Sequence, residues 1–181
     1  MASLNVQHGR QAYRLFLPAG ASGASKVYFD LFNAAGSDKT IHITSVVPVV
    51  SGAVAVSGVV SVDLFLTRTT TVGTGGTAAT LEGTDVTAAT ISKVDGGNVA
   101  VPATITARLA PAGGAAAGAV LGSGSFFSEE TSSASYNNID LARISPVSQY
   151  ITIPEGQGVR VVQGSVASVG NVGFNVTFEL S

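Results

Sequence analysis

One stretch near the end of the chain predicts the fold class most directly: Val172-Gly173-Phe174-Asn175-Val176-Thr177-Phe178-Glu179-Leu180. Its large apolar side chains fall on every second residue, and Asn175, Thr177 and Glu179 lie between them. Successive side chains of a β-strand point to opposite faces of the sheet. The alternation therefore predicts a half-buried strand in an antiparallel sheet.

The same period of two returns along the chain, in short runs rich in β-branched and aromatic residues. We predict strands at residues 13–17, 26–32, 41–50, 59–69, 104–109, 120–127, 147–153, 159–163 and 172–180. The segment Pro154-Glu155-Gly156-Gln157-Gly158 separates two of them. Because Pro fixes φ and Gly permits a positive φ, this segment predicts a tight turn that joins its flanking strands as a hairpin.

Eight or nine strands of this length predict an all-β, single-domain antiparallel β-sandwich of the jelly-roll type, in which two four-stranded sheets pack face to face. An immunoglobulin-like sandwich is the alternative, but it normally uses fewer residues, and its Cys and Trp landmarks are absent from the sequence. We predict an extended N-terminal arm over residues 1–12 and the jelly-roll domain over residues 13–181. A Gly-, Thr- and Ala-rich excursion from the core is expected at about residues 72–103.

The composition indicates a protein that meets a partner. Charged residues make up 11% of the 181 residues, against about 25% in a typical soluble domain. So few charges tend to leave apolar patches exposed, and such patches usually mark interfaces. We therefore expect an oligomer or a docked subunit.

Several classes of function are disfavoured. The net charge of −2 and the scattered basic residues give no footprint for nucleic acid. Residues 41–62 carry no formal charge, but their Ser, Thr and Pro interruptions and their many Val residues favour paired strands over a membrane helix. The first residues lack the basic and apolar regions of a secretory signal.

The residues that carry enzyme chemistry are sparse. The chain has no Cys, and its only two histidines, His8 and His42, lack metal-ligand spacing. No Gly-x-Ser-x-Gly segment and no Gly-Lys dipeptide occurs. The adjacent Glu129 and Glu130 would point to opposite faces of a strand and could not share a proton. We expect no enzyme activity, no cofactor, no metal and no small-molecule ligand.

Three segments carry a family resemblance. They are Val62-Asp63-Leu64-Phe65-Leu66-Thr67-Arg68-Thr69-Thr70-Thr71, the following glycine-rich run at residues 73–77, and Ile151-Thr152-Ile153-Pro154-Glu155-Gly156-Gln157-Gly158-Val159-Arg160. Together they resemble the small jelly-roll capsid decoration (cement) proteins of tailed-bacteriophage heads, some of which are trimeric. The resemblance covers the core strands and two turns.

The resemblance implies a virion structural protein without catalytic residues. It would be made in the host cytoplasm and would bind the major capsid protein as a homotrimer on the capsid exterior, where it stabilises the head. For partner contacts we predict Val6, His8 and Arg10 in the arm and Tyr136, Asn137 and Asn138 in a loop.

The alternative function is a carbohydrate- or receptor-binding jelly-roll module, such as a fibre or lectin-like domain. It would need exposed aromatic and Asp or Asn clusters in the distal loops. Two segments qualify, residues 95–98 and 136–138.

Overall fold

The computed structural model describes residues 10–51, 60–111, 117–128, 139–143, 150–167 and 170–181. These residues contain twelve β-strands and no helix. The strands are β1 (Gln11–Ala21), β2 (Val27–Asn33), β3 (Ile41–Ser51), β4 (Val60–Thr69), β5 (Thr77–Ala78), β6 (Thr80–Leu81), β7 (Thr90–Lys93), β8 (Ile105–Leu109), β9 (Ala117–Ser128), β10 (Ile151–Ile153), β11 (Gln157–Gln163) and β12 (Asn171–Leu180).

The strands form two six-stranded sheets. The first sheet has the order β10-β3-β12-β1-β7-β6, and the second has the order β5-β8-β2-β11-β4-β9. All pairs are antiparallel except β6 with β7. When β5, β6, β7 and β8 are left out, each sheet has four strands: β10-β3-β12-β1 in the first and β2-β11-β4-β9 in the second. Consecutive strands from β1 to β4, and again from β9 to β12, lie in alternate sheets. The first and last strands are neighbours. This arrangement confirms the predicted jelly roll, and the immunoglobulin-like alternative is set aside.

The C-terminal strand β12 lies in the middle of the first sheet, between β1 and β3. The predicted inward side chains are buried: Val172, Phe174, Val176, Phe178 and Leu180. Ring centres of Phe174 and Phe29, on opposite sheets, are 5.4 Å apart, and the Tyr13 ring stacks on Phe178 at 5.6 Å. The two sheets are therefore joined by aromatic contacts in a single core.

Each predicted strand is found, with its ends shifted by a few residues. The largest difference is β1, which begins at Gln11 and continues to Ala21. Gln11 and Ala12, the last two residues of the predicted arm, pair with Leu180 and Glu179 of β12. Of the predicted strand at 147–153, the described part is β10, since residues 144–149 lie outside the described ranges.

The predicted hairpin around residues 154–158 is wrong. β10 pairs with β3 in the first sheet, whereas β11 pairs with β2 and β4 in the second. The turn has the expected positive φ at Gly156, but it carries the chain from one sheet to the other. It is held there by the Glu155 carboxylate, which accepts hydrogen bonds from the backbone N–H groups of Gly36 and Asp38.

The segment between β4 and β8, residues 70–104, lies closer to the core than its composition predicts. We call it the insertion. It adds β7 beside β1 in the first sheet and β5 beside β8 in the second. Ala89, Ile91 and Val101 are buried with the core side chains. The insertion therefore widens the sandwich on the side of β1 and β2.

Residues 139–143 close the opposite side of the sandwich. The buried Leu141 donates its N–H to the carbonyl of Val46 in the first sheet, at 2.9 Å. On the second sheet, the backbone of Leu141 lies against Gly122, where any side chain would collide with the Leu141 carbonyl. A glycine in β9 thus allows this segment to fill the gap between the sheets.

The register of β12 can be tested by mutation. Phe174→Ala or Phe178→Ala should lower the free energy of unfolding by about 3–5 kcal/mol, because each leaves a cavity between the sheets. Thr177→Ala, on the outward side of the same strand, should change it by less than about 0.5 kcal/mol. Urea denaturation measures all three. Equal stabilities for the three variants would contradict the register.

Candidate functional site

The predicted contact residue Arg10 lies at the start of β1, where the chain enters the first sheet. Its Nη1 atom is 3.7 Å from Glu179 Oε2, and its guanidinium carbon is 5.4 Å from the ring centre of Tyr150. The Arg10 side chain remains 43% exposed. We call Arg10, Glu179, Tyr150, His42 and Ser181 the arm-root cluster.

Strand register brings this cluster together. Ala12, Glu179, His42 and Thr152 are successive partners across β1, β12, β3 and β10. The next row, which includes Tyr13 and Phe178, is buried between the sheets. Since side chains alternate along a strand, the Glu179 and His42 row lies on the outer face of the first sheet.

His42 is the most buried member of the cluster, with 9% exposure. Its Nε2 lies 2.8 Å from Ser181 Oγ, and its ring meets the Tyr150 ring edge-on at 6.2 Å. Burial, followed by the Arg10 cation, lowers the pKa of His42, and the Glu179 carboxylate opposes this effect. His42 is therefore neutral at neutral pH and serves as a packed hydrogen-bonding side chain beside the Arg10 and Glu179 pair.

Of the predicted contact residues, the structure places Arg10. Val6 and His8 lie outside the described residues, as do Tyr136, Asn137 and Asn138. Reasoning from the sequence missed Glu179, Tyr150 and His42 as companions of Arg10. Glu179 was visible as an outward position of the last strand, but the pairing of β12 with β1 and β3 joins residues far apart in the chain.

The rest of the outer face of the first sheet is poor in charge. Its central positions are occupied by half-buried apolar or small polar side chains: Phe16, Pro18, Val47, Val49, Asn175 and Thr177. Arg14 is the exposed cation of this region, and its guanidinium donates to Asn175 Oδ1 at 2.6 and 3.2 Å. The arm-root cluster thus lies at one end of a sheet face that carries few charges.

A buried carboxylate organises the second sheet. Asp30 in β2 is 1% exposed and accepts a hydrogen bond at Oδ2 from the N–H of Gly73, at the root of the insertion. Its register partners are Arg108 and Arg160. Burial raises the pKa of Asp30, opposed by the Gly73 N–H and by Arg108. Gly73 is required here, because a side chain at this position would collide with the Asp30 carboxylate.

Asp30 connects the insertion to the sandwich. Arg108 Nη1 also donates to the carbonyl of Gly75 at 3.1 Å. Gly73 and Gly75 of the insertion are therefore hydrogen-bonded to Asp30 and Arg108, which are register partners in the second sheet. Asp30 Oδ1 is buried without a hydrogen-bond partner. Asp30 and Arg108 therefore attach the insertion to the second sheet and do not form an open binding site. We call these contacts the fastening.

Within the described ranges, no group of three or more His, Asp or Glu side chains is arranged to hold a metal ion. No helix among these residues is long and apolar enough to cross a membrane. Comparison with known proteins gives no match to a family model, to a curated protein or to a solved structure.

The fastening predicts an unusual pH dependence. Burial raises the pKa of Asp30 in the folded protein above its value in the unfolded chain. The free energy of unfolding therefore decreases as the pH rises through this interval and Asp30 ionises. The free energy of unfolding of the wild type, relative to Asp30→Asn, should therefore fall as the pH rises from about 3 to about 7. Denaturation at several pH values measures this difference.

Asp63 provides a matched control with the opposite sign. Its carboxylate accepts hydrogen bonds from Ser125 Oγ at 2.7 Å and Ser61 Oγ at 3.0 Å, which lower its pKa. The stability of the wild type relative to Asp63→Asn should rise over the same pH range. If the Asp30 difference also rises with pH, the arginines, and not burial, control the charge of Asp30.

Proposed function

We propose that this chain is a virion structural protein, a capsid decoration (cement) protein that binds the major capsid protein as a homotrimer on the outside of a tailed-phage head. The observation that carries the proposal is the combination of a jelly roll, a largely uncharged outer sheet face, and an N-terminal segment that enters the fold at the end of that face. Such a protein acts by binding, and its stabilising effect comes from bridging neighbouring capsid subunits.

The low number of charged side chains on the outer face of the first sheet supports a protein that assembles with others. Specific interfaces are depleted of charged residues at their centre. On the outer face of the first sheet, the strands β1, β3 and β12 carry one guanidinium, Arg14, and one carboxylate, Glu179, among apolar and small polar side chains. Attachment to a lattice and association between copies both need such surfaces.

The arm-root cluster supports a role for the N-terminal segment. Arg10, the first described residue, contacts Glu179 and Tyr150, so the described chain begins at this cluster beside the first sheet. A segment that is ordered by a partner loses conformational entropy of about 1–2 kcal/mol per residue, and contacts with the partner must offset this cost. In this proposal, residues 1–9 supply the contacts with a neighbouring subunit.

The alternative, a carbohydrate- or receptor-binding module, has less support. In the loop at residues 95–98, Asp95 Oδ1 accepts from the N–H of Gly97, and Asn98 Nδ2 donates to the carbonyl of Ala12. These groups are used within the chain. Among the exposed large hydrophobic side chains of the described ranges, Tyr150 is the one aromatic, and it already contacts Arg10 and His42. No aromatic platform for sugar stacking is present in these residues.

Cosedimentation tests the proposal. Purified protein is mixed with empty heads that lack it, prepared from the phage that encodes it, and the bound copies are counted after sedimentation. We expect saturable binding and heads that resist heating better than undecorated ones. Absence of binding to heads, together with binding to glycans on an array, would replace the proposal with the carbohydrate-binding alternative.

A deletion tests the arm. It must end at Gly9, because Arg10 is bound to Glu179 and Gln11 pairs with Leu180. The shortened protein should melt within a few degrees of the full chain, since these residues precede the first strand. Its occupancy on heads at equal concentration should be lower. Unchanged occupancy would place the anchoring elsewhere, and unfolding would show that the segment belongs to the core.

A further inference from the structure

We propose that the free edge of β9 binds the N-terminal segment, residues 1–9, of a neighbouring copy as an added β-strand. The contact joins two different surfaces, one from each copy. A contact of this kind closes into a ring when it repeats around a symmetry axis, and three copies complete the ring in a homotrimer. The inference deepens the homotrimer of the proposed function and rests on that oligomer, but not on attachment to a capsid.

β9 is an edge strand of the second sheet, and in the described residues it pairs with β4 alone. It has twelve residues, whereas the other edge strands, β5, β6 and β10, have two, two and three. Natural edge strands are usually protected from further pairing by short length, charged residues, proline or a bulge. β9 contains no charged residue and no proline. Its register shifts lie near Val120, so residues 122–128 form a regular ladder with β4.

The strand register determines which backbone groups of β9 are directed to the free edge. The carbonyl of Asp63 in β4 accepts from the N–H of Gly164, just after β11, at 2.9 Å and so points away from β9. Ser125 is the register partner of Asp63, so its N–H and C=O point away from β4, and those of Ser123 do the same. Both serines are exposed. The edge therefore presents donors and acceptors to another strand.

The composition of residues 1–9 suits an added strand. They contain no proline and no Lys, Arg, Asp or Glu, so every peptide N–H can donate and no charged side chain has to be buried. Leu4 and Val6 alternate with Asn5 and Gln7. In an extended conformation, one face of this segment is apolar and the other is polar.

The two faces of β9 differ in the same way. On the inner face, the half-buried side chain of Ile139 lies over Gly124 at the rim of the core. On the outer face, Ser125 Oγ donates to the carboxylate of Asp63 at 2.7 Å. An added strand can therefore turn its apolar row toward Ile139 and its polar row toward the serine side.

The arm-root cluster and the start of β9 lie at the same end of the sandwich. Tyr150 of the cluster precedes β10, and the carbonyl of Thr152 in β10 accepts from Arg68 Nη1 at 3.2 Å. Arg68 in turn lies against Gly118, near the start of β9. The N-terminal segment therefore joins the sandwich at the end where β9 starts.

A neighbouring copy is a better source of the added strand than the same chain. Three strand spacings separate β1 from β10 in the first sheet, and β9 lies across the gap in the second sheet. The straight path from Arg10 to β9 is therefore about 17 Å. Val6 is four residues from Arg10 and reaches at most about 14 Å. A neighbouring copy can bring the same residue to the edge from outside.

Cross-linking tests the contact directly, because the chain contains no native cysteine. In the full chain, Asn5→Cys is combined with Ser123→Cys and treated with a short bis-maleimide, which tolerates a small shift of register. The control combines Asn5→Cys with Val86→Cys, a position of the insertion that is 77% exposed. We expect covalent species of two and three chains for the first pair and single chains for the control.

A second measurement removes one backbone donor from the edge. Ser123→Pro lacks the N–H that points away from β4, whereas Ser123→Ala keeps it. Sedimentation equilibrium at micromolar concentration should give a mass of three chains for the wild type and for Ser123→Ala, and one chain for Ser123→Pro. Circular dichroism checks that each variant is folded. If Ser123→Pro unfolds, deletion of residues 1–9 replaces it and should give the same loss.

The outcomes separate this inference from the proposed function. If the wild type is a trimer but the first pair gives no link between chains, or folded Ser123→Pro remains a trimer, the edge is wrong while the trimer stands. A link within one chain, identified by peptide mass spectrometry, would show that the edge is covered by its own N-terminal segment. A wild-type mass of one or two chains overturns both this inference and the homotrimer.

Discussion

The structure depends on the pairing of β12 with both β1 and β3. This strand places Phe174 and Phe178 between the sheets, where they meet Phe29 and Tyr13. The same register sets the outward row in which Glu179 lies beside His42 and near Arg10. A shift of one residue would turn the core side chains to solvent and the polar row inward. The core and the candidate surface are therefore two consequences of a single register.

The two faces of the sandwich have different roles in this account. On the second sheet, buried Asp30 binds Gly73 and fastens the insertion across the strands. On the outer face of the first sheet, Glu179 pairs with Arg10, and the exposed Arg14 donates hydrogen bonds to the neutral amide of Asn175. The insertion is therefore bonded to the second sheet, whereas the first sheet carries a surface that is proposed for assembly.

The sequence predicted the fold well and the site only in part. In β12 and β4, the alternation of apolar and polar residues predicts which side chains point into the core, even when the neighbouring strands are unknown. The burial of Leu64, Leu66 and Phe174 confirms this prediction. The turn at Gly156 was predicted as a turn, but turn chemistry does not determine whether the next strand joins the same sheet. The four residues of β7 contain a single large apolar side chain, Ile91, which is too few to show an alternation.

Long-range register accounts for what the sequence could not predict at the site. Arg10, His42, Tyr150 and Glu179 are separated along the chain, and pairing of four strands brings them together. Asp30 left a clearer signal. In the sequence it interrupts the apolar run Val27-Tyr28-Phe29-Asp30-Leu31-Phe32, and such a run is typical of strands covered on both faces. A carboxylate in that setting indicates a specific partner, which is Gly73.

The central claim is that this jelly roll decorates a phage head as a trimer. An electron cryomicroscopy reconstruction of heads with and without the protein tests it most directly. The proposed function predicts added density on the outer surface that fits three sandwiches around a three-fold axis. No added density, or isolated single sandwiches, would contradict it.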